Sequence, residues 1–394
     1  MTPTKHIPHN PNLRQLRNQA EDLHKAQKAG DPSALRRIGE FHPRFSGSSQ
    51  AEIAAARIVL ADAQLVIARD LGFSSWPKLK SHIESLSSPE LSAQAVVIGN
   101  KEEARAAAEI EKLGGWCKID RSGRLQTVSL NGPRFTDAVT EHLKGLTSLK
   151  ELYFVKTQVG DNGLVRLKGL TALKRLYVSG KQVTDAGLEH LKGLINLERL
   201  YLGKTHVSDD GLEHLKGLTN LKELYLNRTR ISGDGLKHLK DLTRLESLGL
   251  DRTKVSDADL AHLKGLANLE NLYLSRTQVT DAGLAHLKGL TNLERLYLGQ
   301  TQVSGEGLKH VEGLANLREL CVYRTRISDA GLEHLKELTG LRTVYLSRTQ
   351  VTDAGLEFLT GLIGLRKLDL RSTQVTDAGE NELRKALPNC RIYR

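Results

Sequence analysis

Residues 269–292 read LENLYLSRTQVTDAGLAHLKGLTN. A leucine like the one that opens this stretch returns every 24 residues, at Leu125, Leu149, Leu173, Leu197, Leu221, Leu245, Leu269, Leu293, Leu317, Leu341 and Leu365, without an insertion. Within one copy, numbered from that leucine, positions 1, 4, 6, 11, 16, 19 and 22 are almost always Leu, Val or Ile. Positions 4 and 6 flank a single outward residue, which is strand alternation. Positions 16 and 19 lie three apart, which is helix spacing. Each copy therefore predicts one short parallel strand and one short helix. A single copy cannot bury its apolar face alone, so the copies must stack.

A fixed period of this length with an LxxLxL core resembles the leucine-rich repeat. The resemblance covers about 70% of the chain, from Leu125 onward. It implies an α/β solenoid, with parallel strands on a concave face and short helices on a convex one. The segment [TS]DAGL at positions 12–16 resembles that of F-box-associated and ribonuclease-inhibitor-like repeats. In the first of those families the repeats recruit substrates for ubiquitin transfer, and some bacterial effectors imitate them. Residues 1–92 show no F-box pattern.

The polar columns read first as architecture. Thr at position 9 (Thr205, Thr229, Thr277 and Thr349 among others) is expected to point inward and donate to a neighbouring rung's carbonyl. Thr or Ser at position 12 is expected to cap the helix, with Asp at its positive end and Ala-Gly permitting close approach to the strand. Local irregularity is expected where these columns change, at Lys181, Gly160, Val139 and Asp259. Lys at position 20, usually followed by Gly, suits a helix C-terminus with a left-handed glycine after it. A column of histidines at position 18 (His142, His190, His214, His238, His262, His286, His310, His334) supplies one ring per helix. Helices about 8–10 Å apart do not bring such nitrogens within the roughly 2 Å that zinc requires, so no metal site is expected.

Ahead of the repeats the composition is helical. Residues 1–10 read as a disordered tail, 11–86 as a helical domain, 87–93 as a linker and 94–124 as a helical N-terminal cap, followed by the solenoid with its C-terminal cap over 125–394. Leu13, Leu16, Ala20, Leu23 and Ala26 mark a first helix, and Asp31-Pro32 starts a second. Residues 50–71, nearly apolar all round, predict one central helix ended by Gly72. Ser75 then caps a helix bearing Pro77, Leu79, Ile83 and Leu86. The stretch LADAQLVIARDLGFSSWPKLKSHIE, residues 60–84, resembles a helical module found ahead of ankyrin arrays in bacterial proteins. Trp76 within it reads as a core or rim aromatic.

Position 5 points outward from each strand and is Tyr at Tyr153, Tyr177, Tyr201, Tyr225, Tyr273, Tyr297 and Tyr345. Rungs about 4.8 Å apart turn this column into a ladder of rings. Beside it, position 8 is basic at Lys156, Lys204, Arg228, Arg252, Arg276, Arg324 and Arg348. Aromatic residues and arginine are what protein-binding hot spots are made of. Tyr and Arg also stack on one another without any ligand, so the ladder reads equally as structure. The rung of Gly249 and Asp251 is expected to divide it into two patches, and Cys321, Asp369 and Tyr323 mark a different C-terminal stretch.

The chain carries no Walker loop, no GxGxxG opening a helix, no GxSxG and no HExxH. Its three cysteines, Cys117, Cys321 and Cys390, form no disulfide framework or metal pair. No signal peptide and no apolar run of membrane-spanning length occurs, so the chain reads as cytoplasmic. These features point to a non-enzymatic binding scaffold without a cofactor, whose concave Tyr/Arg face takes a protein, possibly through an acidic segment of it. The formal charge of +11 keeps nucleic acid on that same face as one alternative, and the resemblance to F-box-associated repeats implies another, a substrate-recognition adaptor or bacterial effector.

Overall fold

The computed structural model describes residues 13–71, 73–87 and 101–394. The expected tail, residues 88–93 of the linker, residues 94–100 of the cap and Gly72 lie outside these, as do the side chains of Ile83 and Leu86. Two compact units divide the chain, Met1–Gly99 with Arg121–Gly123, and Asn100–Asp120 with Arg124–Arg394.

The first unit packs helices Leu13–Lys28, Pro32–Phe41, Gln50–Ala55, Leu60–Asp70 and Trp76–Ser87 around Leu16, Ala20, Ile38, Ile53, Val66, Ile67 and Leu79. Asp31 starts the second helix by accepting the Ser33 and Ala34 N–H groups, each at 2.9 Å. The single helix expected over 50–71 is two. Ser49 and Glu52 form a capping box on the first, and Ala56 leaves it in extended conformation. Asp62 then accepts the Val59 N–H at 2.9 Å and opens the second. The break leaves Val59 and Leu60 exposed, so the apolar run there is not all core. Trp76 is half-buried at the rim of the cluster.

In the second unit, helix Lys101–Lys112 and strand Trp116–Ile119 cover the first rung. That strand pairs antiparallel with Leu125–Asn131, after which one strand per 24 residues adds in parallel until Arg391–Tyr393. The described residues form one sheet of thirteen strands in chain order. The buried Glu103 of the covering helix accepts the Leu125 N–H at 2.5 Å and the Ser148 hydroxyl at 2.8 Å, tying the cover to both ends of the first rung. All seven apolar columns are core. In residues 269–292, Leu269, Leu272, Leu274, Val279, Leu284, Leu287 and Leu290 are each 0% exposed.

The return from strand to helix is a tight turn. In the rung of Leu197, the Thr205 N–H and hydroxyl both reach the Leu202 carbonyl, at 3.3 and 2.7 Å. The position-9 threonine thus bonds within its own rung, not to a neighbouring one, because the turn folds its hydroxyl back over position 6. Such a turn needs positive φ at its third residue, which is position 8. Gly132 and Gly180 supply it in two rungs, but elsewhere Lys156, Lys204, Arg228, Arg252, Arg276, Gln300, Arg324, Arg348 and Ser372 adopt φ of 53–65°.

Position 12 joins rungs. Asp161 accepts the Thr184 N–H at 2.8 Å and its hydroxyl at 2.6 Å from the next rung, and Asp257 holds Thr280 at 2.7 and 2.6 Å in the same way. Among the described residues this side chain also caps its own helix at Thr280, Thr352 and Thr376. Gly at position 15 makes room for the carboxylate, since a Cβ on Gly187 would lie 2.4 Å from Asp161 Oδ1. A further join comes from asparagines at position 24. Asn268 Nδ2 donates to the Thr243 carbonyl at 2.8 Å and Asn292 Nδ2 to that of Ala267 at 2.9 Å. Among the described residues the glycine after Lys at position 20 is left-handed at Gly145 and Gly169, where the preceding lysine leaves the helical region. Elsewhere, as at Lys216, the turn continues helically and the glycine needs no positive φ.

Candidate functional site on the sheet face

The open face of the sheet presents three columns whose chemistry differs. At position 3, acids and bases on neighbouring rungs pair with one another. Arg175 meets Glu151 at 2.6 Å, Arg199 meets Glu223 at 3.1 Å and Arg295 meets Glu319 at 3.7 Å.

At position 5 the tyrosines stack as expected for a rung-spaced ladder. Tyr201 and Tyr225 lie 4.8 Å apart with planes 7° from parallel, and Tyr273 and Tyr297 lie 4.9 Å apart. Their hydroxyls donate to the position-3 carboxylates, Tyr201 to Glu223, Tyr297 to Glu319 at 2.5 Å and Tyr153 to Glu151 at 3.2 Å. Burial and the adjoining carboxylates raise the hydroxyl pKa of Tyr201 and Tyr297, and burial pushes that of Tyr273 up to about 12. Gly249 does not divide the ladder. Tyr225 and Tyr273 lean across it until their centroids are 6.0 Å apart, and a Cβ on Gly249 would strike Tyr225 at 2.6 Å. The glycine is what lets the rings close.

At position 8, Lys156, Lys204, Arg228, Arg252, Arg276, Arg324 and Arg348 are exposed. Among the described residues none of them has an ion pair or a side-chain hydrogen bond, in contrast to the position-3 bases. Desolvation, then the like charges of Arg228 and Arg276, push the Arg252 guanidinium below its ordinary pKa. Left-handed backbone is costly for a side chain with a Cβ, and Gly or Asn fills such turns more cheaply. The basic row therefore combines strained backbone, mutual repulsion and no internal partner. Nothing in the fold requires it. The strain was invisible in the sequence, because Lys and Arg do not announce a positive φ.

The proposed contact residues thus separate into two kinds. Tyr153, Tyr177, Tyr201, Tyr225, Tyr273, Tyr297 and Tyr345 are half-buried and mostly engaged with one another or with carboxylates, whereas Arg228, Arg252, Arg276, Arg324 and Arg348 stand free beside them. Tyr345 is flanked instead by Lys367, whose ammonium sits 4.9 Å above the ring.

The histidine column holds no metal arrangement among the described residues, and His334 pairs with Glu312 at 2.6 Å. Burial pushes the Cys117 and Cys321 thiols up to about 12, so neither offers a thiolate near neutral pH. No helix among the described residues is long and apolar enough to cross a membrane.

The family model for the leucine rich repeat matches residues 195–255 and 243–303. No curated protein sequence matches. Among solved structures, an internalin (inlF) from Listeria monocytogenes is 22% identical over 73% of this chain and 94% of its own, with a TM-score of 0.49. An internalin C2 (inlC2) from the same organism is 29% identical over 54% of this chain and 84% of its own, with a TM-score of 0.43. A TDR receptor is 15% identical over 66% of this chain and 50% of its own, with a TM-score of 0.46. With a 24-residue period in the sequence, one parallel strand per period in the sheet and the family model matched across the middle of the array, residues 195–303 carry leucine-rich repeats and the sheet around them has the architecture of a leucine-rich repeat solenoid.

Proposed function

We propose that the protein is a non-enzymatic interaction scaffold that docks an acidic segment of a protein partner on the open sheet face, over the row from Arg228 to Arg348. The observation that carries this reading is the position-8 column, exposed, unpaired and left-handed. Bases that the fold only tolerates gain a purpose if an external anion neutralises them. Electrostatic complementarity of that kind speeds association and selects partners by charge.

Nucleic acid is the weaker alternative for this face. Sequence-tolerant binding of single strands relies on bases stacking against aromatic faces. Between Tyr201 and Tyr225 those faces are already turned on each other at 4.8 Å. The glutamates at position 3 would also oppose a phosphate backbone.

The test is a pull-down from nuclease-treated lysate with the intact chain and with Arg228→Asn/Arg252→Asn/Arg276→Asn, since Asn accepts the left-handed turn. Proteins with acidic segments retained by the intact chain alone support the reading. Equal recovery by both chains rules the row out as the docking surface, and recovery that disappears with nuclease moves the assignment to nucleic acid.

A further inference from the structure

One interruption in the tyrosine ladder stays open. At position 5 the ladder passes from Tyr297 to Cys321 to Tyr345, and among the described residues no ring pair closes over the cysteine as Tyr225 and Tyr273 close over Gly249. The result is a hollow of about 420 Å³ on the sheet face. Tyr297 and Tyr345 line it on either side of Cys321, and Arg252 and Arg276 of the basic row also line it.

Several departures from the repeat converge on this hollow. Tyr323, at position 7, lies back over the preceding rung, where a Cβ on Gly299 would meet its ring at 2.0 Å. Gln300 stands where the rungs on either side carry Arg276 and Arg324, and its Nε2 donates to the Tyr323 hydroxyl at 2.9 Å, holding the ring off the gap. Asp369 at position 5 is neutralised by Arg371 through two contacts of 2.8 Å, and Asp251 accepts the Ser275 N–H at 2.8 Å. Asp251 has no ion pair and lies in electrostatic range of Arg252 and Arg228, so the charges lining the hollow sum to a net positive one, carried outward by the exposed guanidiniums of Arg252 and Arg276. Cys321 itself stays a buried thiol, so covalent capture is not what the site is built for.

The spacing fixes the shape of the guest. Tyr297 and Tyr345 are two rungs apart, roughly 9.6 Å at about 4.8 Å per rung. One flat ring placed between them would lie about one rung from each, inside the 4.5–7 Å preferred by aromatic pairs and matching the 4.8 and 4.9 Å found within the ladder. The far faces are already taken, that of Tyr297 by Tyr273 and that of Tyr345 by Lys367. We propose that the hollow above Cys321 is a slot for one aromatic side chain of an acidic, extended partner segment, whose ring completes the ladder between Tyr297 and Tyr345 while its flanking carboxylates meet Arg252 and Arg276. This rests on the reading of the sheet face as a docking surface and adds to it a site with a defined register.

The test uses the full chain and two labelled peptides, Glu-Glu-Trp-Glu-Glu and Glu-Glu-Ala-Glu-Glu, followed by fluorescence anisotropy. The tryptophan peptide should bind about ten-fold more tightly, the factor that corresponds to about 1.4 kcal/mol. In Cys321→Tyr, which puts the ladder's own residue in the gap, the two peptides should bind alike. Tyr345→Leu, which removes one wall and keeps an apolar side chain, should also erase the preference, so the result does not hang on one variant folding. Equal affinity for both peptides on the intact chain, with both lost in Arg252→Asn/Arg276→Asn, overturns the slot and leaves the docking surface standing. Failure of both peptides to bind overturns slot and docking surface together. Displacement of the tryptophan peptide by free indole-3-acetate at equal affinity replaces the partner side chain with a small aromatic acid.

Discussion

Asp161 and Thr184 stand 23 residues apart in the chain, yet the carboxylate of the first takes both the N–H and the hydroxyl of the second, at 2.8 and 2.6 Å. The adjacent letters T and D in each repeat are therefore halves of two different joins. At most rungs the aspartate reaches forward to the next rung, while the threonine or serine is held by the rung behind.

Asp161→Ala should lower stability by about 2–4 kcal/mol, since two partly buried hydrogen bonds to a charged acceptor contribute roughly 1.5–3 kcal/mol each before solvent screening. Thr184→Val should lose less, because the backbone N–H keeps its acceptor. Urea unfolding of both variants checks the order. Equal losses would show that the hydroxyl carries the whole join.

The join is rebuilt at one rung by a paired exchange. Position 13 is Gly233 instead of Asp, and position 15 of the next rung is Asp259 instead of Gly. Asp259 accepts the Ser256 N–H and hydroxyl, both at 2.7 Å, and its carboxyl carbon fills the place of a Cβ on Gly233, only 2.0 Å away. Gly233→Asp alone should clash, and Asp259→Gly alone should strand the Ser256 donors. The double variant should return to near the original stability, with a coupling of about 2–3 kcal/mol in a double-mutant cycle. Additive losses would contradict the exchange.

Replacing the basic row should separate folding from binding. Arg228→Asn, Arg252→Asn and Arg276→Asn should each raise stability by about 0.5–1 kcal/mol, because Asn tolerates the left-handed turn better and the repulsion is relieved. Thermal melts of the single and triple variants measure this. A fall in melting temperature would make the row structural and remove the main support for a docking surface.

Alkaline titration should report the ladder. Burial raises the Tyr273 hydroxyl to about 12, above an unfolded value of about 10. Its contribution is then fully present below pH ~10 and is lost as pH rises through ~12. Stability should fall over that window, and Tyr273→Phe should flatten the slope. Phenolate absorbance appearing near pH 10 with the fold intact would place these rings in solvent.

The apolar columns were legible because burial repeats with the period, and Leu272 or Leu287 leave no other reading. The outward Tyr and Arg columns were legible as positions, not as conformations. Nothing in Arg252 signals a φ of 57°, since the turn is dictated by the residues around it. Joins between rungs were hidden for another reason. A carboxylate next to a hydroxyl in sequence reads as a local cap, and only stacking reveals the partner 23 residues on. In the helical unit, the apolar residues Ala56, Ile58 and Val59 masked the break that Asp62 makes by capping Val59. The slot above Cys321 depends on where Tyr323 falls, which periodicity does not specify.

The exchange between Gly233 and Asp259 bears on how such an array is inherited. Most rungs are interchangeable cassettes, each offering an aspartate forward and a glycine backward, so unequal crossing-over can add or drop one without penalty. Losing only the copy with Gly233 would bring Asp209 against Asp259, two acids in one space. Losing only the copy with Asp259 would leave Gly233 facing Gly283, with no acid at all. The array already holds one acid-free join, where Gly305 packs against Gly331, so dropping the copy with Gly233 is the costlier of the two losses.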